Sequence, residues 1–144
     1  MEQATNTEKL SLEQNLQGKT ALITGASSGL GVRFARVLAA AGARIIITAR
    51  RADRLADLAE QITKADGQVL NETLDVSQLE ALPDFYDSLN ARGWMPDILV
   101  NNAGMNISKP ALDTTPEEFN QVLTTKLDAP FFLATEFARP LIEK

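Results

Sequence analysis

One octapeptide limits what this chain can fold into. Thr24-Gly25-Ala26-Ser27-Ser28-Gly29-Leu30-Gly31 follows an apolar run, Ala21-Leu22-Ile23, and precedes residues spaced with helical periodicity. A strand that turns through glycines into a helix makes three physical demands. Gly25 lets the chain leave the strand sharply. Gly29, lacking a Cβ, lets a diphosphate approach the backbone. Gly31 lets the helix pack tightly on a sheet. The unpaired N–H groups of the first helical turn, at the positive end of the helix dipole, then face the anion. The spacing is G-x-x-x-G-x-G, not the usual dinucleotide G-x-G-x-x-G. Taken alone, the glycines also suit an ordinary strand-to-helix turn. Val32-Arg33, with no Lys-Ser or Lys-Thr, follows Gly31, which sets aside a mononucleotide P-loop.

The remaining sequence alternates strand and helix patterns. The first strand is read at Thr20–Thr24. The helix after the glycines has Leu30, Phe34, Val37, Leu38 and Ala41 on one 3.6-period face and ends at Gly42. The β-branched run Arg44-Ile45-Ile46-Ile47-Thr48 suits a buried parallel strand. A helix over residues 53–65 places Leu55, Leu58 and Ile62 inward, and a strand over 68–74 follows. Leu79, Leu82, Tyr86 and Leu89 mark a third helix, whose first turn Pro83 disturbs. A fourth strand covers 97–101. Thr115-Pro116-Glu117-Glu118 is a capping box opening a long helix, with Phe119, Val122, Leu123, Leu127, Phe131 and Ala134 on its apolar face. Pro130 and Pro140 should kink it.

Such alternation predicts βαβ units: an α/β, Rossmann-type doubly wound parallel sheet. Right-handed crossovers give strand order 3-2-1-4 with helices on both faces. Residues 1–16 read as a polar tail and 17–144 as one nucleotide-binding domain.

Composition narrows the chemistry. A chain of 144 residues, 44% hydrophobic and 23% charged, has the balance of one soluble globular domain. A net charge of −5 argues against broad nucleic-acid binding. There is no cysteine and no histidine. That removes thiol nucleophiles, disulfides, thiolate or imidazole metal sites and histidine general bases together. Chemistry must then use Ser, Thr, Tyr, Lys or carboxylates, or be carried by a cofactor. No apolar run reaches the ~20 residues of a membrane span. Residues 1–14 lack the basic start and apolar centre of a secretory signal, so the expected setting is cytoplasmic.

Three further positions carry nucleotide chemistry in such a fold. At the end of the second strand, a carboxylate would take the ribose hydroxyls of NAD. This chain has Ala49-Arg50-Arg51 there, and an arginine offers a forked donor for the 2′-phosphate of NADP. Arg51 equally suits a solvated charge opening the second helix. Asp75-Val76 ends the third strand, where a carboxylate could accept from an adenine amino group or simply cap a turn. Asn101-Asn102-Ala103-Gly104 ends the fourth strand. Asn side chains can tie strand ends together, and Gly104 permits close approach to a ligand.

In this order and at this spacing, the glycine turn, Asp75-Val76 and Asn101-Asn102-Ala103-Gly104 resemble the short-chain dehydrogenase/reductase family. The resemblance runs from about Gly18 to the last residue. It implies a single-domain Rossmann enzyme that moves hydride between NAD(P) and an alcohol or carbonyl, with NADP preferred through Arg50. It places Gly25, Ser27, Ser28, Gly29, Leu30 and Gly31 at the pyrophosphate and ribose. It places Asp75 and Val76 at adenine, and Asn102, Ala103 and Gly104 along the cofactor. Asn101 would brace the central sheet. It further implies a homo-oligomer with the long helix at the subunit contact.

Two departures stand out. The family's asparagine in the long helix is replaced by Lys126, which cannot accept a hydrogen bond. The family's serine and Tyr-x-x-x-Lys belong after a fifth strand, beyond Lys144. The one tyrosine, Tyr86, has no lysine four residues on and reads as a packing residue. The resemblance therefore implies the amino-terminal part of an oxidoreductase, cut before its catalytic half and without turnover. The alternative is a complete nucleotide-binding or regulatory module. The sheet favours the fragment too: in the order 3-2-1-4 the fourth strand, Ile98-Leu99-Val100, would be an unpaired apolar edge prone to association.

Overall fold

The computed structural model describes residues 15–143. Its element order is β1 (Thr20–Thr24), α1 (Gly29–Ala40), β2 (Arg44–Ala49), α2 (Ala52–Lys64), β3 (Val69–Thr73), α3 (Leu82–Ala91), β4 (Ile98–Val100), α4 (Pro116–Leu123) and α5 (Ala129–Ile142). The four strands are all parallel in the order β3-β2-β1-β4, as the alternation predicts. Register sets Leu22 beside Ile46 and Leu99, and Ile23 beside Ile47 and Val100. The tail read at residues 1–16 lies outside the described residues except at its end. There Leu16 packs against the core and its N–H donates to the Ala41 carbonyl.

Alternation along the strands feeds two cores. Ala21, Ile23, Ile45 and Ile47 face α1 and α2, while Leu22 and Ile46 face α3 and α5. Helix α2 buries Leu55, Leu58 and Ile62, the face its periodicity names. Helix α3 buries Leu82, Tyr86 and Leu89. Pro83 does not disrupt it, because a 3₁₀ turn at Leu79–Ala81 precedes the helix and the proline falls in the first turn, where no N–H is needed. The Tyr86 hydroxyl donates to the Leu133 carbonyl at 3.0 Å. Burial, then the nearby Glu136 carboxylate, pushes its pKa well above the ordinary phenol range.

Two helices differ from their sequence pattern. On α1 the buried residues are Gly31 and Ala35, whereas Leu30, Phe34 and Val37 are exposed at 64%, 37% and 42%. On the long helix, Thr125, Ala129 and Leu133 are buried, and Phe119, Leu127 and Phe131 are about 60% exposed. Small residues make the most buried contacts of α1, where Val32 and Leu38 pack only partly against the core, and on the long helix Ala129 is buried beside Leu133.

The long helix begins with the expected box: Thr115 Oγ1 accepts from the Glu118 N–H, and Glu118 Oε2 accepts from the Thr115 N–H. The Lys109 ammonium, then the Thr115 N–H, holds the Glu118 carboxyl below the usual range. The helical path then passes through a π-turn, Thr124–Asp128, into α5. Pro130 sits in the first turn of α5, and the wider π-turn accommodates its missing N–H. Pro140 lies inside α5.

Candidate functional site

The carboxyl ends of the strands open into a cleft of about 560 Å³. This is where open α/β sheets bind ligands, beside the point at which strand order reverses. All twelve candidate residues line the cleft except Gly29 and Gly31.

The turn after β1 is built for close approach. Gly25 has φ +66°, and a Cβ on it would stand 2.7 Å from the Ala103 Cα. A Cβ at Gly31 would collide with the Gly25 carbonyl oxygen and stand 2.7 Å from Asn102 Nδ2. Gly31 therefore lets α1 close onto the turn and the end of β4 rather than onto the sheet face. Gly29 is different. It has φ +59°, and a Cβ there meets nothing within 4 Å. Backbone conformation requires glycine at this point, and the space beside it is open. Helix α1 starts without a side-chain cap: the Ser28 hydroxyl caps nothing and no acidic residue lies in the first turn. Its first N–H groups thus lack the usual protein acceptors.

Thr24 joins β1 to β4. Its Oγ1 accepts from the N–H groups of Asn102 and Ala103, both at 3.0 Å. Asn102 Nδ2 donates to the carbonyls of Thr24 and Gly25 at 3.2 Å. The expected sheet-bracing role of Asn101 thus falls to Asn102, which also lines the cleft. Asn101 points to the long helix and donates to the Pro130 carbonyl at 3.3 Å. Strand alternation explains the exchange, since adjacent residues leave β4 on opposite faces.

At the β2–β3 side stand Arg50, Arg51, Asp75 and Val76. Arg51 is the N-cap residue of α2 and also lines the cleft, so both sequence readings of it describe its position. Neither arginine pairs with a carboxylate among the described residues. Asp75 Oδ1 accepts from the Ser77 N–H at 3.0 Å and the Ser77 hydroxyl at 2.6 Å. That is the turn-forming role. Its second oxygen has no hydrogen-bond partner among the described residues. Outside the candidate residues, Ala49, Leu74, Ser77, Met105, Gln121 and Thr125 also line the cleft, and of these the motifs gave no sign of Ser77, Gln121 or Thr125. Gln121 and Thr125 are four residues apart on one helical face, and the Thr125 hydroxyl donates to the Gln121 carbonyl at 3.0 Å. That spacing was the available signal.

The comparisons with known proteins agree with this geometry. The family model for short chain dehydrogenases matches residues 19–144. The chain belongs to the short-chain dehydrogenase family. It is 31% identical over 131 residues to a gluconate 5-dehydrogenase of Gluconobacter oxydans, an alignment covering 90% of this chain and 51% of that protein. It is 34% identical to a tropinone reductase homolog of Arabidopsis thaliana, covering 90% and 48% respectively. A metagenomic short-chain oxidoreductase solved in complex with NADP superposes with a TM-score of 0.84 at 34% identity, covering 90% of this chain and 59% of that one. The chain thus spans between about a fifth and about a half of the length of the curated relatives it matches. As in its family, the sheet is Rossmann-like with order 3-2-1-4. Among the described residues no helix is long and apolar enough to cross a membrane.

The cleft suits the dinucleotide that the family uses. It offers uncapped helical N–H groups beside the open space at Gly29, arginines unpaired among the described residues, an accepting carboxylate oxygen and an open face at Gly104. Tyr86, the one tyrosine, is 4% exposed and committed to the Leu133 carbonyl, so it takes no part in the cleft.

Proposed function

We propose that this chain supplies the coenzyme-binding half of an NADP-dependent oxidoreductase acting between an alcohol and a carbonyl. One observation carries the reading: a single cleft unites an uncapped helix N-terminus with two arginines and a carboxylate oxygen that have no side-chain partner among the described residues. The first-turn amides of α1, with Ser27 and Ser28, hold the diphosphate. Arg50 forks onto the 2′-phosphate. Asp75 Oδ2 and Val76 receive the adenine. Leu30, Asn102, Ala103 and Gly104 lie along the coenzyme. When bound, the coenzyme supplies or accepts hydride, and the chain's part is to orient it and shield it from water.

The family's tyrosine–lysine pair for proton transfer does not occur in these 144 residues. Histidine and cysteine are absent, Tyr86 is buried, and no Tyr-x-x-x-Lys occurs. We therefore expect the chain alone to bind NADPH without turning over a carbonyl. A homo-oligomer built through the long helix accords with its exposed Phe119, Leu127 and Phe131. The second reading, a nucleotide-binding module without catalysis, is favoured by Lys126 in place of the family's asparagine. A reading frame continuing into a serine and Tyr-x-x-x-Lys would discriminate against it.

Calorimetric titration with NADPH and NADH tests the proposal. NADPH should bind more tightly, and Arg50→Asp should weaken it by about tenfold or more while sparing NADH, as for a charge-assisted pair worth ~1.5–3 kcal/mol. Failure of both coenzymes to bind the folded protein overturns it.

A further inference from the structure

The turn at Asp75 carries one hydrogen bond more than its backbone requires. Leu74 and Val76, on either side, are buried in the core that packs on α3 and α5, and the Leu74 N–H donates to the Ala49 carbonyl at 3.0 Å. The Gln78 N–H closes the turn on the Asp75 carbonyl at 3.1 Å. The Ser77 N–H adds a bond to Asp75 Oδ1 at 3.0 Å. The Ser77 hydroxyl then donates to that same oxygen at 2.6 Å. This last bond is surplus to the turn, and both side chains line the cleft.

Two donors on one oxygen have a directional consequence. A carboxylate turns readily about its last bond, and its two oxygens exchange places. Holding Oδ1 from two atoms of Ser77 stops that exchange. It leaves Oδ2, which has no hydrogen-bond partner among the described residues, as the oxygen that accepts from a ligand. The backbone of Asp75 is anchored by its buried neighbours, so the side chain is a pre-organised acceptor. Such an acceptor suits an amino group and repels a carbonyl oxygen.

We infer that Ser77 is a positioning residue: its hydroxyl fixes the Asp75 carboxylate so that Oδ2 reads the 6-amino group of the coenzyme's purine and rejects a 6-oxo purine. This rests on the coenzyme reading above and deepens it. Selection of the base then depends on a side chain that acts through Asp75.

The test is calorimetric titration of the 144-residue protein with NADPH and with its hypoxanthine counterpart, which carries an oxygen in place of the 6-amino group. The unmodified protein should bind NADPH about tenfold or more tightly, the scale of one hydrogen bond to a charged group. Ser77→Ala should cut that preference to about threefold or less by weakening NADPH alone. Unchanged affinity for the hypoxanthine coenzyme also shows that the variant is folded. Ser77→Thr should keep the preference. Asp75→Asn should invert it, because Ser77 holds the amide oxygen and turns the amide NH₂ toward the cleft. Adding Ser77→Ala to Asp75→Asn should erase the inversion. Equal binding of the two coenzymes by the unmodified protein overturns the inference. So does full preference in Ser77→Ala, an equal loss for both coenzymes in that variant, as a merely structural role would give, or Asp75→Asn without inversion. Failure of the unmodified protein to bind either coenzyme sinks the coenzyme reading itself, and this inference with it.

Discussion

Strands β1 and β2 and strand β4 are made of similar residues, yet they live in different surroundings. Every residue of β1 is buried, and Ile45, Ile46 and Ile47 of β2 have no exposure at all. Ile98, Leu99 and Val100 of β4 are only half-buried, because β4 pairs with β1 alone and its other edge is open. The flanking helices follow the same division. Helix α2, over the inner strands, hides its whole apolar face, whereas the long helix leaves Leu127 and Phe131 63% exposed. Residue type sets whether a strand wants burial. Its place in the sheet order sets how much burial it receives, and hence how much of the stability each apolar side chain supplies.

The largest effect should come from the inner strands. Ile46→Ala removes a side chain with no exposure that packs among Leu22, Leu82 and Leu133. Lost transfer energy and the remaining cavity together should cost ~2–5 kcal/mol, read as a fall in urea midpoint at constant slope. A cost under about 1 kcal/mol would mean that the inner core is loose and the contrast with β4 is overstated.

The joint between the two regions gives the next effect. Thr24 is fully buried, and its Oγ1 accepts from both Asn102 and Ala103 N–H groups where β4 leaves the sheet. Thr24→Val keeps the shape and orphans two donors, which should destabilise by ~1–3 kcal/mol. Thr24→Ser should restore most of it. Amide exchange at Asn102 and Ala103 is the sharper readout. It should quicken in the valine variant more than exchange in β2 does, and uniform quickening would show that the joint is not local.

The same division explains what could be read from the chain. Strand order, parallel pairing and the α2 face were legible because the glycine turn, Ile45-Ile46-Ile47 and Leu55, Leu58 and Ile62 each admit one arrangement. The faces of α1 and the long helix were read only in part: Leu38 packs on the core as expected, but periodicity weighs side chains by hydrophobicity, whereas close contact at Gly31, Ala35 and Ala129 favours residues with little side chain. The exchange between Asn101 and Asn102 was illegible for a related reason: which of two adjacent asparagines faces β1 depends on a register that neither residue states. Gln121 and Thr125 lay outside any motif, although their four-residue spacing put them on one face.

The smallest effect belongs to the outward stripe of the long helix, and it decides whether the comparison between regions holds in solution. Phe131 is a larger side chain than Ile46, so composition alone ranks Phe131→Ser as the worse loss. Exposure reverses the ranking: with 63% of its surface in water, little remains to lose, and the change should stay within about 0.5 kcal/mol. The unmodified protein and the serine variant should then show the same midpoint at low concentration. A midpoint that climbs with concentration for the unmodified protein only would show copies meeting through this face, as mass action requires. A loss matching that of Ile46→Ala at every concentration would mean Phe131 is covered within one chain, and the half-buried edge would no longer set the two regions apart.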